Sequence, residues 1–171
     1  ISNYLKKIFF RLFYSLSDQI LVTSNDFKKE MKKYFKLESI IHRQSLDIEG
    51  IKRKSKVKLN FNYFKKYKYL KIINVGRLTD QKDLITLLKA FSKLIKIRKA
   101  RLLLIGNGRD YKSLKLVVKN NKISENVRFM SFQSNPYNFI SLADVKVLSS
   151  KYEGNPNILL EVACLKKLII S

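Results

Sequence analysis

The chain has 171 residues, of which 46% are hydrophobic and 29% charged, enough for an ordinary domain with a real core. One cysteine, Cys164, excludes an intrachain disulfide and a cysteine-cluster metal site, and one histidine, His42, excludes a histidine-rich metal centre. The 36 Lys and Arg against 13 Asp and Glu leave a net charge of +23, which raises nucleic acid and anionic membrane as partners. The lysines are spread over the whole length and no nucleic-acid motif occurs. A solvated basic surface, or one that also holds the chain near anionic lipid, is therefore expected, and nucleic acid is not. Sparse cysteine fits a reducing compartment, with Cys164 as a small core residue. No apolar run approaches the ~18 residues of a membrane span. The chain starts at Ile1 and stops at Ser171 within the apolar run Leu168–Ile170, so a fragment cut at both ends is expected.

In chain order, residues 2–16 carry Leu5, Ile8, Phe9, Leu12, Phe13 and Leu16 at helical spacing among Lys6, Lys7 and Arg11. They predict an amphipathic helix that packs on a sheet or lies on a membrane. Residues 20–23 read as a short buried strand. Ser24 then caps a helix with Phe27, Met31 and Tyr34 on one face. Residues 39–41 are a second short strand. Residues 42–68 are polar and lysine-rich, with Asp47 and Ile48 opening a short helix.

From residue 69 the rhythm is regular. Strands are expected at 70–75, 101–105, 127–130, 145–148 and 167–171, and helices at 84–95, 111–118, 136–142 and from Pro156 onward. Near-continuous apolar strands alternating with helices predict a parallel sheet covered on both faces, the Rossmann-like α/β class.

In such a sheet, ligands bind beyond the carboxyl ends of the strands. Four features fall there. Gly76 ends the first strand and is followed by Arg77 and Lys82. A planar fork and a point charge together suit a diphosphate, although either could be an ordinary surface cation. Gly106-Asn107-Gly108 ends the next strand. It lacks the third glycine of the dinucleotide fingerprint, since Tyr111 stands there, so a plain turn and a close ligand approach are both open. Met130-Ser131-Phe132-Gln133 offers backbone groups and an aromatic ring to a nucleobase, with Phe132 alternatively in the core.

The fourth feature runs from Ser149 to Glu161. Glu153 stands on a loop with Gly154, Asn155, Pro156 and Asn157. Glu161 is the sole polar residue between Ile158 and Leu165. Burying that carboxylate demands a hydrogen-bond partner. Asn155 as N-cap and Pro156 at the first helical position would aim a helix N-terminus at the loop, where a phosphate or hydroxyl could sit.

Taken in order, GRLTDQK, LLLIGNG, NVRFMSFQSNP and LADVKVLSSKYEGNPNILLEV resemble the C-terminal, nucleotide-sugar-binding half of a family-4 retaining glycosyltransferase (glycosyltransferase group 1) with the GT-B fold. Residues 15–50 resemble the end of the N-terminal domain and its crossing into the second. The resemblance implies three regions. Residues 1–43 would be a remnant of the acceptor domain, 44–68 the crossing, and 69–171 the donor-binding domain, incomplete at its end.

The resemblance also implies roles. Arg77 and Lys82 would hold the donor diphosphate and stabilise it as it leaves. Glu161 would bind the ribose hydroxyls. Glu153 would contact the donor sugar. Gly76, Gly106, Phe132, Gly154, Asn155, Pro156 and Asn157 would frame the nucleotide and sugar. No metal or other cofactor is expected. The acceptor would be lipid-linked or a glycan, at the cytoplasmic face of a membrane. The sequence departs from the family pattern at Gln44-Ser45, where Asn followed by Gly or Pro is usual, and at Ser131, where Gly is common. Two rivals stand beside this reading: a dinucleotide-binding domain of an oxidoreductase, and a non-enzymatic basic module on a membrane surface.

Overall fold

A computed structural model describes residues 3–42, 45–65 and 68–171. The chain divides into two compact units, Ile1–Leu46 and Asp47–Ser171. The expected boundaries at 43 and at 44–68 run through Arg43, Gln44, Lys66 and Tyr67, and the Gln44 departure lies with these residues, outside those described.

The first unit holds helix α1 (Asn3–Ser15), strand β1 (Leu21–Val22), helix α2 (Asn25–Glu30) continued by a π-helical turn (Met31–Phe35), and strand β2 (Ile40–Ile41). β1 and β2 pair in parallel. The Ser24 hydroxyl accepts from the Phe27 amide at 3.1 Å, the expected cap. Three expectations change. Of the predicted face, Met31 is buried while Phe27 and Tyr34 are exposed, because the π-helical turn breaks the 3.6-residue period. In β1 only Val22 is buried, as one strand face looks outward. The apolar stripe of α1 is not packed on a sheet: Leu5, Phe9, Leu12, Phe13 and Leu16 are all exposed. Its rings contact one another, with Phe9 and Phe13 centroids 4.2 Å apart.

The second unit begins with α3 (Ile48–Ser55), capped by the Asp47 carboxylate, which accepts from the Gly50 amide at 2.8 Å. A short 3-10 turn (Asn62–Phe64) follows. Then come β3 (Leu70–Val75), a second 3-10 turn (Asp80–Lys82), α4 (Leu84–Ile97), β4 (Ala100–Ile105), α5 (Tyr111–Asn120), β5 (Val127–Met130), α6 (Tyr137–Leu142), β6 (Val145–Val147), α7 (Asn157–Cys164) and β7 (Leu168–Ile170). The five strands form one all-parallel sheet in the order β5-β4-β3-β6-β7.

Strand residues alternate between two cores, as the period of two requires. Ile72, Leu102 and Leu104 pack under α4 and α5 with Leu88, Phe91 and Leu114. Ile73, Leu103 and Ile105 pack on the opposite face with Phe61, Phe139, Ile140 and Val162. This is the expected parallel α/β sheet covered on both faces. Counted from β3, the strand order is the doubly wound order. It reverses between β3 and β6, and a crevice opens at such a switch point beyond the strands' carboxyl ends. Cys164, expected in the core, is only half-buried, because it lies in the last turn of α7.

Candidate functional site

A cleft of about 620 Å³ lies at that switch point. The carboxyl end of β3 contributes Gly76, Arg77 and Lys82, and that of β4 contributes Gly106 and Asn107. The segment after β5 contributes Phe132, Gln133 and Tyr137. The loop after β6 and the first two turns of α7 contribute Glu153, Pro156, Asn157, Ile158 and Glu161. Of the residues singled out in the sequence, Gly154 and Asn155 do not line it; both are exposed at the bend of the loop.

The cleft's central contact is an ion pair. The Lys82 ammonium donates to the Glu153 carboxylate, and both side chains are largely buried. Burial pushes the Glu153 carboxyl up. The hydrogen bond from Lys82, with the charges of Lys82 and Arg77, outweighs that effect and holds it below the usual carboxylate range. The two loops are also joined by further hydrogen bonds, each accepted by a backbone carbonyl. The Lys151 amide donates to the Gln81 carbonyl at 2.9 Å, the Gln81 amide group to the Tyr152 carbonyl at 3.1 Å, and the Ser149 hydroxyl to the Lys82 carbonyl at 2.8 Å.

Glu161, in the second turn of α7, is half-buried and faces Tyr137 at the start of α6. The Tyr137 phenol is pushed up by burial, then by the charge of Glu161 and a hydrogen bond to it, with a further push from Asp47. The cost of half-burying the carboxylate is therefore met in part by a hydroxyl. Nearby, the Asn157 side-chain oxygen is buried without a hydrogen-bond partner among the described residues. The residue lines the cleft, and the folded chain leaves this acceptor unpaired.

Several expectations are corrected here. The helix start lies one residue later than expected: Pro156, in extended conformation, is the N-cap and Asn157 is the first helical residue. No side chain caps this end, because proline has none to offer and Asn155 lies a residue too early. Phe132 is 70% exposed and so is not core; its ring stands at the cleft mouth. The Gly-Asn-Gly stretch is more than a plain turn. Gly106 has φ +144°, and a Cβ there would meet the Gly76 carbonyl oxygen at 2.0 Å. A Cβ at Gly108 would meet the Leu78 carbonyl oxygen at 2.0 Å. Both glycines let the β4 loop press against the β3 loop. A smaller hollow of about 300 Å³ continues past Gly106 and Asn107, where Tyr111 and Phe129 stack edge-on with ring centroids 5.4 Å apart.

Two residues escaped sequence reasoning. Tyr137 carried no signal beyond following Pro136. Lys146 did carry one, a lysine inside an apolar strand. Its side chain is fully buried, and its ammonium nitrogen donates to the Val147 carbonyl at 2.7 Å. The buried Asn74 amide donates to the same carbonyl at 2.8 Å. Burial first, and then the Lys82 charge, lower the Lys146 amine to about 7, while the Glu153 charge opposes the shift.

Among the described residues, no group of three or more His, Cys, Asp or Glu is arranged to hold a metal ion. No helix among them is long and apolar enough to cross a membrane.

A doubly wound parallel sheet with a charged cleft at its switch point defines the class of α/β domain that binds ligands beyond the carboxyl ends of its strands. The family model described as glycosyl transferases group 1 matches residues 55–171, and the chain belongs to that family. It is 29% identical over 169 residues to an uncharacterized glycosyltransferase, MJ1059, of Methanocaldococcus jannaschii, covering 95% of this chain and 41% of that protein. It is 26% identical over 168 residues to the N-acetylgalactosamine-N,N'-diacetylbacillosaminyl-diphospho-undecaprenol 4-alpha-N-acetylgalactosaminyltransferase of Campylobacter jejuni, covering 95% and 44%. The crystal structure of Anabaena Alr3699/HepE in complex with UDP and glucose superposes with a TM-score of 0.81 at 15% identity, over 100% of this chain and 48% of that one. The chain thus spans less than half the length of these relatives.

Proposed function

We propose that this chain is the donor-binding part of a retaining glycosyltransferase. In this reading, the whole protein moves a hexose or related sugar from a nucleotide diphosphate to a lipid-linked or glycan acceptor. The observation that carries it is the cleft at the β3–β6 switch point, where Arg77 and Lys82 face Glu153 and Glu161 across one cavity. The relatives support it: one acts on a diphospho-undecaprenol acceptor, and another holds UDP and glucose.

Each group has work suited to its chemistry. Arg77 and Lys82 neutralise the diphosphate and stabilise the negative charge that grows on it as the bond to the sugar breaks. These two cations supply the counter-charge, so the reading is metal-independent. Glu161 accepts from the ribose hydroxyls, replacing the Tyr137 hydroxyl or sharing the site with it. Glu153, released from Lys82, accepts from hydroxyls of the transferred sugar. The Asn157 side-chain oxygen takes a further hydroxyl. Phe132 offers a ring face to the base. Gly76, Gly106 and Pro156 shape the walls, and Gly154 and Asn155 form the bend of the loop.

Calorimetric titration of the chain with UDP, GDP, UDP-glucose and NAD tests the reading. Binding of a nucleoside diphosphate or its sugar, weakened in Glu161→Ala, is expected. Preferential binding of NAD would instead favour a dinucleotide domain. The chain alone is expected to bind donor weakly and to transfer nothing.

The exposed aromatic stripe of α1, interleaved with Lys7 and Arg11, supports a second element, peripheral attachment to an anionic cytoplasmic membrane face. Flotation with vesicles containing phosphatidylglycerol, but not with phosphatidylcholine alone, is the expected result. Equal flotation with both would remove the electrostatic part of the reading.

A further inference from the structure

Lys146 is a polar side chain that none of these roles uses. The register sets it beside Ile73 of β3 and Ile169 of β7, on the face covered by α6 and α7. No solvent reaches it. Among the described residues its hydrogen bond goes to the Val147 carbonyl, which also accepts from the Asn74 amide. An ammonium has three N–H groups to place. A buried site with one shared acceptor suits an amine better than a cation.

The charged groups that face Lys146 are Lys82, from the turn after β3, and Glu153, from the loop after β6. Its strand neighbours Ile73 and Ile169 are apolar. The lysine therefore sits beneath the closed Lys82–Glu153 pair. Within that pair the fields of the two partners oppose each other at Lys146.

We propose that Lys146 is a positioning residue for Glu153: beneath the closed pair its amine is only partly charged, and it completes its protonation to become the cation facing Glu153 when a donor diphosphate draws Lys82 away. The step is the uptake of one proton, supplied by the buffer once the Lys82–Glu153 pair above the amine has opened, and involves no covalent change. It holds Glu153 ionised and in place at the moment its first partner is lost. Without it, the carboxylate would be left part-buried with its nearest cation engaged elsewhere, a costly arrangement. A diphosphate entering the cleft adds negative charge and pushes in the same direction.

This inference rests on the reading of Lys82 as a diphosphate ligand. The test is calorimetry of the 171-residue chain with UDP-glucose, UDP-N-acetylglucosamine and GDP-mannose, which carry no phosphate titrating near neutrality. Each is run at pH 7 in phosphate and in Tris, whose ionisation heats differ. The dependence of binding heat on buffer counts the protons taken up. Roughly half a proton per bound nucleotide sugar is expected for an amine that is half-charged when free and fully charged when bound. Affinity should fall up to ten-fold per unit as pH rises above 7. In Lys146→Met and Lys146→Gln the uptake and the pH slope should vanish while binding persists. Two variants are used so that one misfolded protein does not decide the matter, and the wild-type measurement needs neither. Binding with no proton uptake overturns the inference alone, as does uptake that survives in either variant. Failure of all three nucleotide sugars to bind overturns the inference together with the proposed function.

Discussion

Lys82 and Glu153 stand 71 residues apart and meet in one ion pair at the mouth of the sheet. One follows β3 and the other follows β6, strands that become neighbours only because the sheet order reverses between them. The pair holds the cleft's cation and its carboxylate together before any ligand arrives. A diphosphate must then exchange with Glu153 for Lys82, and the released carboxylate becomes available to the sugar.

Lys82→Met should therefore weaken both nucleoside diphosphate and nucleotide sugar, by about 10- to 100-fold, the loss of a charge-assisted bond. Glu153→Ala should spare the nucleoside diphosphate, or tighten it by freeing Lys82, and weaken the nucleotide sugar. Calorimetric titration with UDP and UDP-glucose checks both. If Glu153→Ala weakens UDP as much as UDP-glucose, the division of labour is wrong.

The same pair gives stability a defined acid limit. The Glu153 carboxyl is held below its unfolded value. Its contribution is thus present above the ordinary carboxylate range near 4.5 and is lost as pH falls through the lowered folded value. Glu153→Gln should lower Tm at pH 7, and the gap should close as pH falls below about 4. Thermal melts from pH 7 to pH 3 measure this. A gap that widens toward acid would reverse the sign and exclude the mechanism.

Glu161→Ala should reduce nucleoside diphosphate binding by about ten-fold, as for the loss of a hydrogen-bonded charged acceptor. It should also lower the Tyr137 phenol part of the way toward its ordinary value. Burial, the largest cause of that shift, remains, whereas the charge and hydrogen bond of Glu161 are removed. Spectrophotometric titration of the tyrosines should reveal one that ionises at lower pH in the variant. An unchanged titration would mean that the two side chains do not interact in solution.

Gly106→Ala and Gly108→Ala should each cost about 2–4 kcal/mol, because backbone carbonyls lie where a methyl would go and cannot yield as a flexible side chain can. Gly154→Ala meets nothing within 4 Å and should change stability by less than about 0.5 kcal/mol. Urea denaturation separates the two groups. A tolerated Gly106→Ala would refute the tight contact between the β3 and β4 loops.

Lys146→Met should stabilise the fold. The folded amine, lowered to about 7, lies below its unfolded value of 10.5. The unfolded chain therefore binds more protons between those values, and wild-type stability rises with pH across that window. The cost of burying this group is fully present below about 7, on the order of 5 kcal/mol. The variant's Tm advantage should be largest at pH 6 and shrink toward pH 10. The Val147 carbonyl keeps its Asn74 partner, so no acceptor is stranded.

Much of this protein is legible in local patterns. Strand and helix alternation from residue 69 onward follows from apolar runs and periodicity, which act over a few residues and need no partner to be read. The Ser24 and Asp47 caps are equally local, each a side chain bonding an amide three residues on. The loop and helix carboxylates could be singled out because an acid in an apolar helix demands an explanation.

Other features needed the tertiary structure. Strand order alone brings the β3, β4 and β6 loops to one cleft, and no local rule states which strands will be neighbours. Gly106 and Gly108 owe their need for glycine to carbonyls of another loop. Phe132 could not be sorted between core and surface by its own neighbours in sequence. The start of α7 shifted by one residue because backbone geometry, not residue preference, decided which position is the cap. The sequence by itself determined which side chains were available and which chain ends of the strands would carry them. Only the folded sheet decided that Lys82 meets Glu153 with Lys146 beneath them, because those contacts depend on long-range packing that no window of sequence contains.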